Sequence, residues 1–133
     1  MDTMEMMKSM AVGDMPVDMG AMQECIQSLN ACSMAATMCA GADMGEGEAM
    51  AKCTAMCSNM ADMADACMRM MMRPLGMDMS VMNAMLTACK TMGAACAAEC
   101  RMHAEMADHC RYCAMACEDM ITKCEAVLAS MSA

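Results

Sequence analysis

Residues 109–124 read HCRYCAMACEDMITKC, and the spacing of the cysteines in that run decides the fold. Cys110, Cys113, Cys117 and Cys124 follow one another at intervals of three, four and seven. On an α-helix, at about 100° per residue, those intervals keep every thiol on one stripe. The remaining cysteines repeat the pattern in three further sets. Cys25, Cys32 and Cys39 are spaced by seven and seven, Cys53, Cys57 and Cys67 by four and ten, and Cys89, Cys96 and Cys100 by seven and four. Each set falls within a wedge of about 80° or less. Four helices that each carry one narrow stripe bury those stripes against one another.

The punctuation of the chain agrees. Proline occurs only at positions 16 and 74, and glycine gathers at 13–20 and 41–47 and recurs at 76. Helices are predicted at about residues 18–40, 48–72, 78–103 and 105–131. The first stops at Gly41, and Arg73-Pro74-Leu75-Gly76 ends the second by removing a donor and disfavouring helix before the proline. Ala, Met, Glu, Lys and Arg, all good helix formers, dominate these segments. No run of β-branched residues and no alternation suggests a strand. The predicted fold is therefore all-α, an up-down-up-down four-helix bundle in one domain spanning 1–133. Residues 1–17 form an N-terminal extension with a short helical segment at about 2–11. Met4, Met7 and Met10 share one face there, either to cap the bundle or to join a subunit contact.

The core is built from sulfur. The chain is 59% hydrophobic, yet it has no Phe, no Trp, one Tyr, 29 Met and 13 Cys. Thioethers and thiols pack as hydrophobes and are also the soft ligands that favour Cu(I). The formal net charge of −9 argues against a nucleic-acid partner and against docking on anionic lipid. No apolar run approaches the length of a bilayer span. The N-terminus, MDTMEMMKSM, lacks the basic and apolar regions of a secretory signal, so the cytoplasm is the expected compartment. There cysteines stay reduced, and their odd number fits poorly with a closed disulfide framework.

Thirteen thiols on four coherent seams point to metal. Structural zinc favours paired CxxC knuckles, and only Cys110 and Cys113 have that spacing. Iron–sulfur clusters draw on compact loop runs. The CxxxC pairs Cys53/Cys57, Cys96/Cys100 and Cys113/Cys117 instead set two thiols one helical turn apart, a clamp for a two-coordinate ion. Each Cu⁺ that replaces one H⁺ leaves an apolar interior neutral. If every thiolate bridges two ions, the core holds about one Cu(I) per Cys. That multiplicity means storage, with no catalytic role. The competing readings are a metallothionein-like Zn(II)/Cd(II) buffer and an iron–sulfur or copper redox protein.

The topology sorts the two ends of the bundle. His103 and His109, the only histidines, fall at the end that holds the 41–47 turn, as do Met38, Met44 and Met50. Asp43, Glu46, Glu48 and Asp108 ring that end as a solvated acidic rim. Met22, Met70, Met71, Met72, Met77, Met79, Leu128 and Met131 plug the other. Copper is expected to load at the histidine end, with His103, His109, Met38 and Met44 as candidate ligands beside the cysteines.

The run Glu99-Cys100-Arg-Met-His103, followed by His109-Cys110-Arg-Tyr-Cys113-Ala-Met-Ala-Cys117, resembles the copper storage proteins, and their cytosolic branch most. In that family an E-C-x-x-H element ends the third helix and an H-C-x-x-C-x-x-x-C element opens the fourth. The stretch from Cys25 to Cys39 and the Ala-Cys-x-x-x-Cys pattern at 95–100 fit the other helices. The resemblance covers roughly residues 20–130. It implies Cu(I) bound along the core, no catalytic turnover, and assembly as a homotetramer. A copper chaperone or small chelator is the candidate partner for exchange. Leu29 and Ala36 stand where the family often has cysteine.

Overall fold

The computed structural model describes residues 1–10, 13 and 15–131. A short helix α1 (Thr3–Lys8) precedes four long ones, α2 (Met19–Asp43), α3 (Ala51–Met71), α4 (Met79–Arg101) and α5 (Asp108–Met131). Single 3₁₀ turns at Glu48–Met50 and Pro74–Gly76 lie just before and just after α3. There is no strand among the described residues. Helix α2 packs on α3 and α5, and α4 packs on the same two. Neighbours in sequence are thus neighbours around a square, the up-down-up-down bundle expected of four helices joined by short turns.

Local chemistry sets where the helices begin. The Asp18 carboxylate accepts from the backbone N–H groups of Gly20 and Ala21, and Asp78 accepts from those of Ser80 and Val81. Each carboxylate satisfies donors that the first turn leaves without a partner. The α2–α3 connection turns at Gly47, whose φ of 93° suits a residue without a Cβ. Helix α2 continues through Gly41 to Asp43, past the expected stop. After α4 the chain makes turns over residues 102–106, with the His103 carbonyl accepting from the N–H groups of Met106 and Ala107. The last helix therefore starts at Asp108, and His109 sits in its first turn.

Met22, Met71, Met82 and Val127 are fully covered and close the far end of the bundle. Leu29, Met60, Leu86 and Met120 are equally buried along its length. Each such side chain contributes about 1.5–3 kcal/mol by leaving water, so thioethers and a few aliphatics hold the fold without aromatic rings. Helices α4 and α5 come close at Gly93, where an added Cβ would lie 2.6 Å from Met120 Cε and 3.1 Å from Ile121 Cγ1. Helix α1 lies beside the α2–α3 pair. Its Met7 is buried, and Met4 shares a cleft with Ile26, Asn30, Met68 and Met72. No helix is long and apolar enough to cross a membrane among the described residues.

Candidate metal centre

All thirteen cysteines are free and buried, none of them more than 1% exposed. They form two groups. Cys25, Cys67, Cys89 and Cys124, one from each long helix, lie toward the far end. There Cys25 Sγ is 3.6 Å from Cys124 Sγ, and Cys67 shares a hydrogen bond with Cys89. The other nine run toward the opposite end. Cys32 and Cys117 face each other at 3.8 Å, and Cys117 continues to Cys96 and Cys113. Cys57 is the hub. Its sulfur is 3.6 Å from Cys100, 3.8 Å from Cys96 and 3.9 Å from both Cys53 and Cys113. Cys39 and Cys110 follow at 3.8 Å from each other.

Two overlapping sets of four thiols could each hold an ion, Cys39/Cys53/Cys57/Cys100 and Cys57/Cys96/Cys100/Cys113, with ligand atoms within 4.8 Å of one another. Cys57 and Cys100 belong to both. Shared ligands of this kind are the arrangement in which bridging thiolates and soft monovalent ions form a continuous chain. A third set, Cys39, Asp43, Cys53 and Cys110, adds a carboxylate at the mouth.

Eight of the thiols resist ionisation. Burial is the largest influence that pushes Cys39, Cys53 and Cys110 above the ordinary cysteine value. Within the crowded centre Cys113 is the opposite case. As a thiolate it would accept hydrogen bonds from Cys100, Cys117, Cys57 and Cys96, and these favour its ionised form. Where a thiol keeps its proton, a metal ion binds by displacing it.

The two histidines part company. His109 Nδ1 is 3.2 Å from Cys39 Sγ, 3.6 Å from Cys110 Sγ and 3.9 Å from Asp43 Oδ1, while its Nε2 is 2.7 Å from Glu46 Oε1. An ionised carboxylate only accepts, so Nε2 carries the proton and donates it to Glu46. In the neutral ring the Nδ1 lone pair then faces the thiols, the second-sphere arrangement that orients an imidazole for metal. His103 also pairs with a carboxylate, but no thiol lies within hydrogen-bond reach of its ring among the described residues. Its Nε2 lies 2.9 Å from Glu99 Oε2, and Lys52 is 3.7 Å from the other oxygen of the same carboxylate.

Met38 is largely exposed but lines a side cleft with Cys39, His109, Tyr112 and Cys113. Met44 is 80% exposed at the end of α2. Asp43 departs from the solvated rim expected of it. It is 1% exposed, its Oδ1 lies 4.0 Å from Cys110 Sγ, and it receives a 3.5 Å contact from the Thr54 hydroxyl. The signal was available, since Asp43 is four residues beyond Cys39 and so continues the same stripe. Glu46 stays exposed on the rim and binds His109, and Asp108 stays in solvent and pairs with Arg111.

A family model described as copper storage protein matches residues 18–129. No curated protein matches the chain. Among solved structures it is similar to the copper storage protein Ccsp of Streptomyces lividans loaded with 10 copper equivalents. The TM-score is 0.91 and the identity 34%, over 97% of this chain and 99% of that one. A histidine-to-alanine mutant of the same Streptomyces lividans protein matches with TM-score 0.84 and 39% identity, over 88% and 99%. A structure of copper loading to a cytosolic copper storage protein from Streptomyces lividans, with five coppers, matches with TM-score 0.80 and 38% identity, over 83% and 93%.

Proposed function

The chain belongs to the copper storage protein family, and from that premise we propose how it works: it binds many Cu(I) ions on the thiolates of its core and keeps them there. The observation that carries this reading is the packing of thirteen reduced, buried thiols with neighbouring sulfurs 3.6–3.9 Å apart. Such a density suits a monovalent soft ion. Each Cu⁺ takes the place of one H⁺, so the interior stays neutral as it fills. A divalent ion would leave positive charge in a dry core or need two thiolates of its own, which would cut the capacity to about half.

Copper enters at the His109 end. There the imidazole, Asp43 and the sulfurs of Cys39 and Cys110 form the first protein ligands that an incoming ion meets. Glu46 holds the ring in the tautomer that presents Nδ1. All thirteen cysteines serve as ligands, at about one ion per thiol. Met38, beside the cleft that reaches Cys39, is the better placed of the two candidate methionines. The protein is a store with no catalytic turnover, and it works in the cytoplasm, where its thiols stay reduced. It exchanges ions with a copper-carrying chaperone or chelator. Exposed apolar residues on the adjacent helices α2 and α5, Met34 and Met38 with Tyr112 and Met115, support assembly into a homo-oligomer such as the tetramer.

The test is an anaerobic titration of the reduced protein with Cu(I), in the presence of a chromogenic chelator that reports free copper. Binding of roughly one equivalent per cysteine before the chelator responds is the expected result. Saturation at one or two equivalents, or a preference for Zn(II), would refute the storage reading.

A further inference from the structure

The two thiol groups are separate. Cys25, Cys67, Cys89 and Cys124 contact one another, the other nine form the string to the mouth, and no hydrogen bond between thiols joins the groups among the described residues. Helix spacing identifies the layer between them. Leu29 lies between Cys25 and Cys32, Gly93 between Cys89 and Cys96, and Met120 between Cys117 and Cys124, each three or four residues from its cysteines; Ala64 is three residues before Cys67. All four are buried.

Of these four, each one turn from an inner-group cysteine, only Met120 carries a donor atom; the other fully buried thioether between the groups, Met60, is seven residues from Cys67 and three from Cys57. Met120 has no exposed surface, and its Sδ lies 3.5 Å from Cys124 Sγ. On α5 the inward positions Cys110, Cys113, Cys117, Met120 and Cys124 are spaced by three or four residues, so sulfur recurs on every turn across the gap. The facing helix makes room for it. Gly93 stands mid-helix, where glycine is a poor helix former, and a Cβ there would press on the Met120 methyl at 2.6 Å.

We propose that the Met120 thioether is a Cu(I) ligand that carries ions across this layer, from the nine thiols of the mouth group to the four of the inner group. The proposal rests on the storage reading above. An ion leaves the Cys117 thiolate as its bond to Met120 Sδ forms. It then binds Cys124, whose thiol gives up a proton that the freed Cys117 thiolate takes. Copper stays Cu(I), and the core keeps its charge. A thioether has no proton to lose and no negative charge. It holds Cu(I) less firmly than a thiolate does, which suits a transfer point better than a storage position.

The experiment compares the reduced full chain with Met120→Leu and Met120→Cys, loaded from a Cu(I)–chelator donor under anaerobic stopped-flow. Absorption from thiolate-to-copper charge transfer follows the filling. Met120→Leu keeps the volume and removes the donor, so it should reach the same final number of equivalents while the last phase slows about tenfold, a barrier rise of about 1.4 kcal/mol. Met120→Cys should restore the rate and hold about one more ion. A last phase of unchanged rate in Met120→Leu overturns the proposal. Methyl-labelled methionine NMR of the native protein gives a second reading, taken on the native chain itself, for which one folded variant of the two suffices to assign the signal. The Met120 signal, identified by its absence from either variant, must shift while the inner thiols fill, and a signal that stays in place overturns the proposal as well. Failure of the storage reading looks different, because the native protein would then stop at one or two equivalents.

Discussion

His103 and His109 stand six residues apart and do different work. Both rings hold a carboxylate through Nε2, but only His109 turns its other nitrogen toward thiols, those of Cys39 and Cys110, among the described residues. Replacing His109 with Ala should therefore slow Cu(I) uptake by about tenfold or more, while His103→Ala should change it much less. Stopped-flow loading with a chelated donor measures both, and equal effects would return the two residues to the same role. The cysteines are graded too. Cys57 belongs to two four-thiol sets and Cys117 to neither, so Cys57→Ala should lower the capacity by about two ions and Cys117→Ala by about one. Equilibrium titration against a chromogenic chelator separates those numbers. Spacing puts all of these thiols on the inner face, but it cannot say which of them is the hub. That depends on how far each helix is rotated and shifted against its neighbours.

At the scale of the element, the helix starts are the most local feature of the structure. Asp18 caps α2 through the N–H groups of Gly20 and Ala21, and its own N–H donates to the Ser130 hydroxyl at the end of α5. Asp18→Ala should cost about 1 kcal/mol and lower the melting temperature of the copper-free protein by a few degrees. Scanning calorimetry or thermal circular dichroism would record the loss, and an unchanged midpoint would mean the cap is not formed in solution. The cap was readable from the Asp before a long helical pattern. The start of α5 was not. Residues 104–107 carry alanine, methionine and glutamate, which favour helix by propensity. They form turns because α4 ends with the Met102 and His103 N–H groups bonded back into its last turn, and the chain must reverse there.

At the scale of the whole molecule, the buried thiols link stability to pH. Burial raises the pKa of Cys39, Cys53 and Cys110 in the folded chain above the reference value of 9.0. The folded form therefore favours the protonated thiol. This contribution is complete below about pH 9, and it is lost as the pH rises and the unfolded chain ionises first. The melting temperature of the copper-free protein should hold steady from pH 6 to 8 and fall above about pH 9. The copper-loaded protein, whose sulfurs have already given up their protons, should show no such fall. The same exchange predicts the release of about one proton per Cu(I) at pH 7, measurable by titration in weakly buffered solution. Release of far fewer would mean that the thiols are ionised before copper arrives.

The sequence by itself determined that the cysteines of each helix share one stripe, that the four stripes meet in a bundle, and which end the histidines occupy. These follow from helical periodicity and from turn residues, which act over a few positions along the chain. Only the tertiary structure decided that the buried Asp43 packs against Cys110, that His109 Nδ1 faces the thiols while no thiol reaches His103 among the described residues, and that the thirteen sulfurs divide into nine and four. Those outcomes depend on the height and rotation of one helix against another, and close packing between facing side chains sets them, as at Gly93 and Met120. Periodicity within a single helix carries no information about that register.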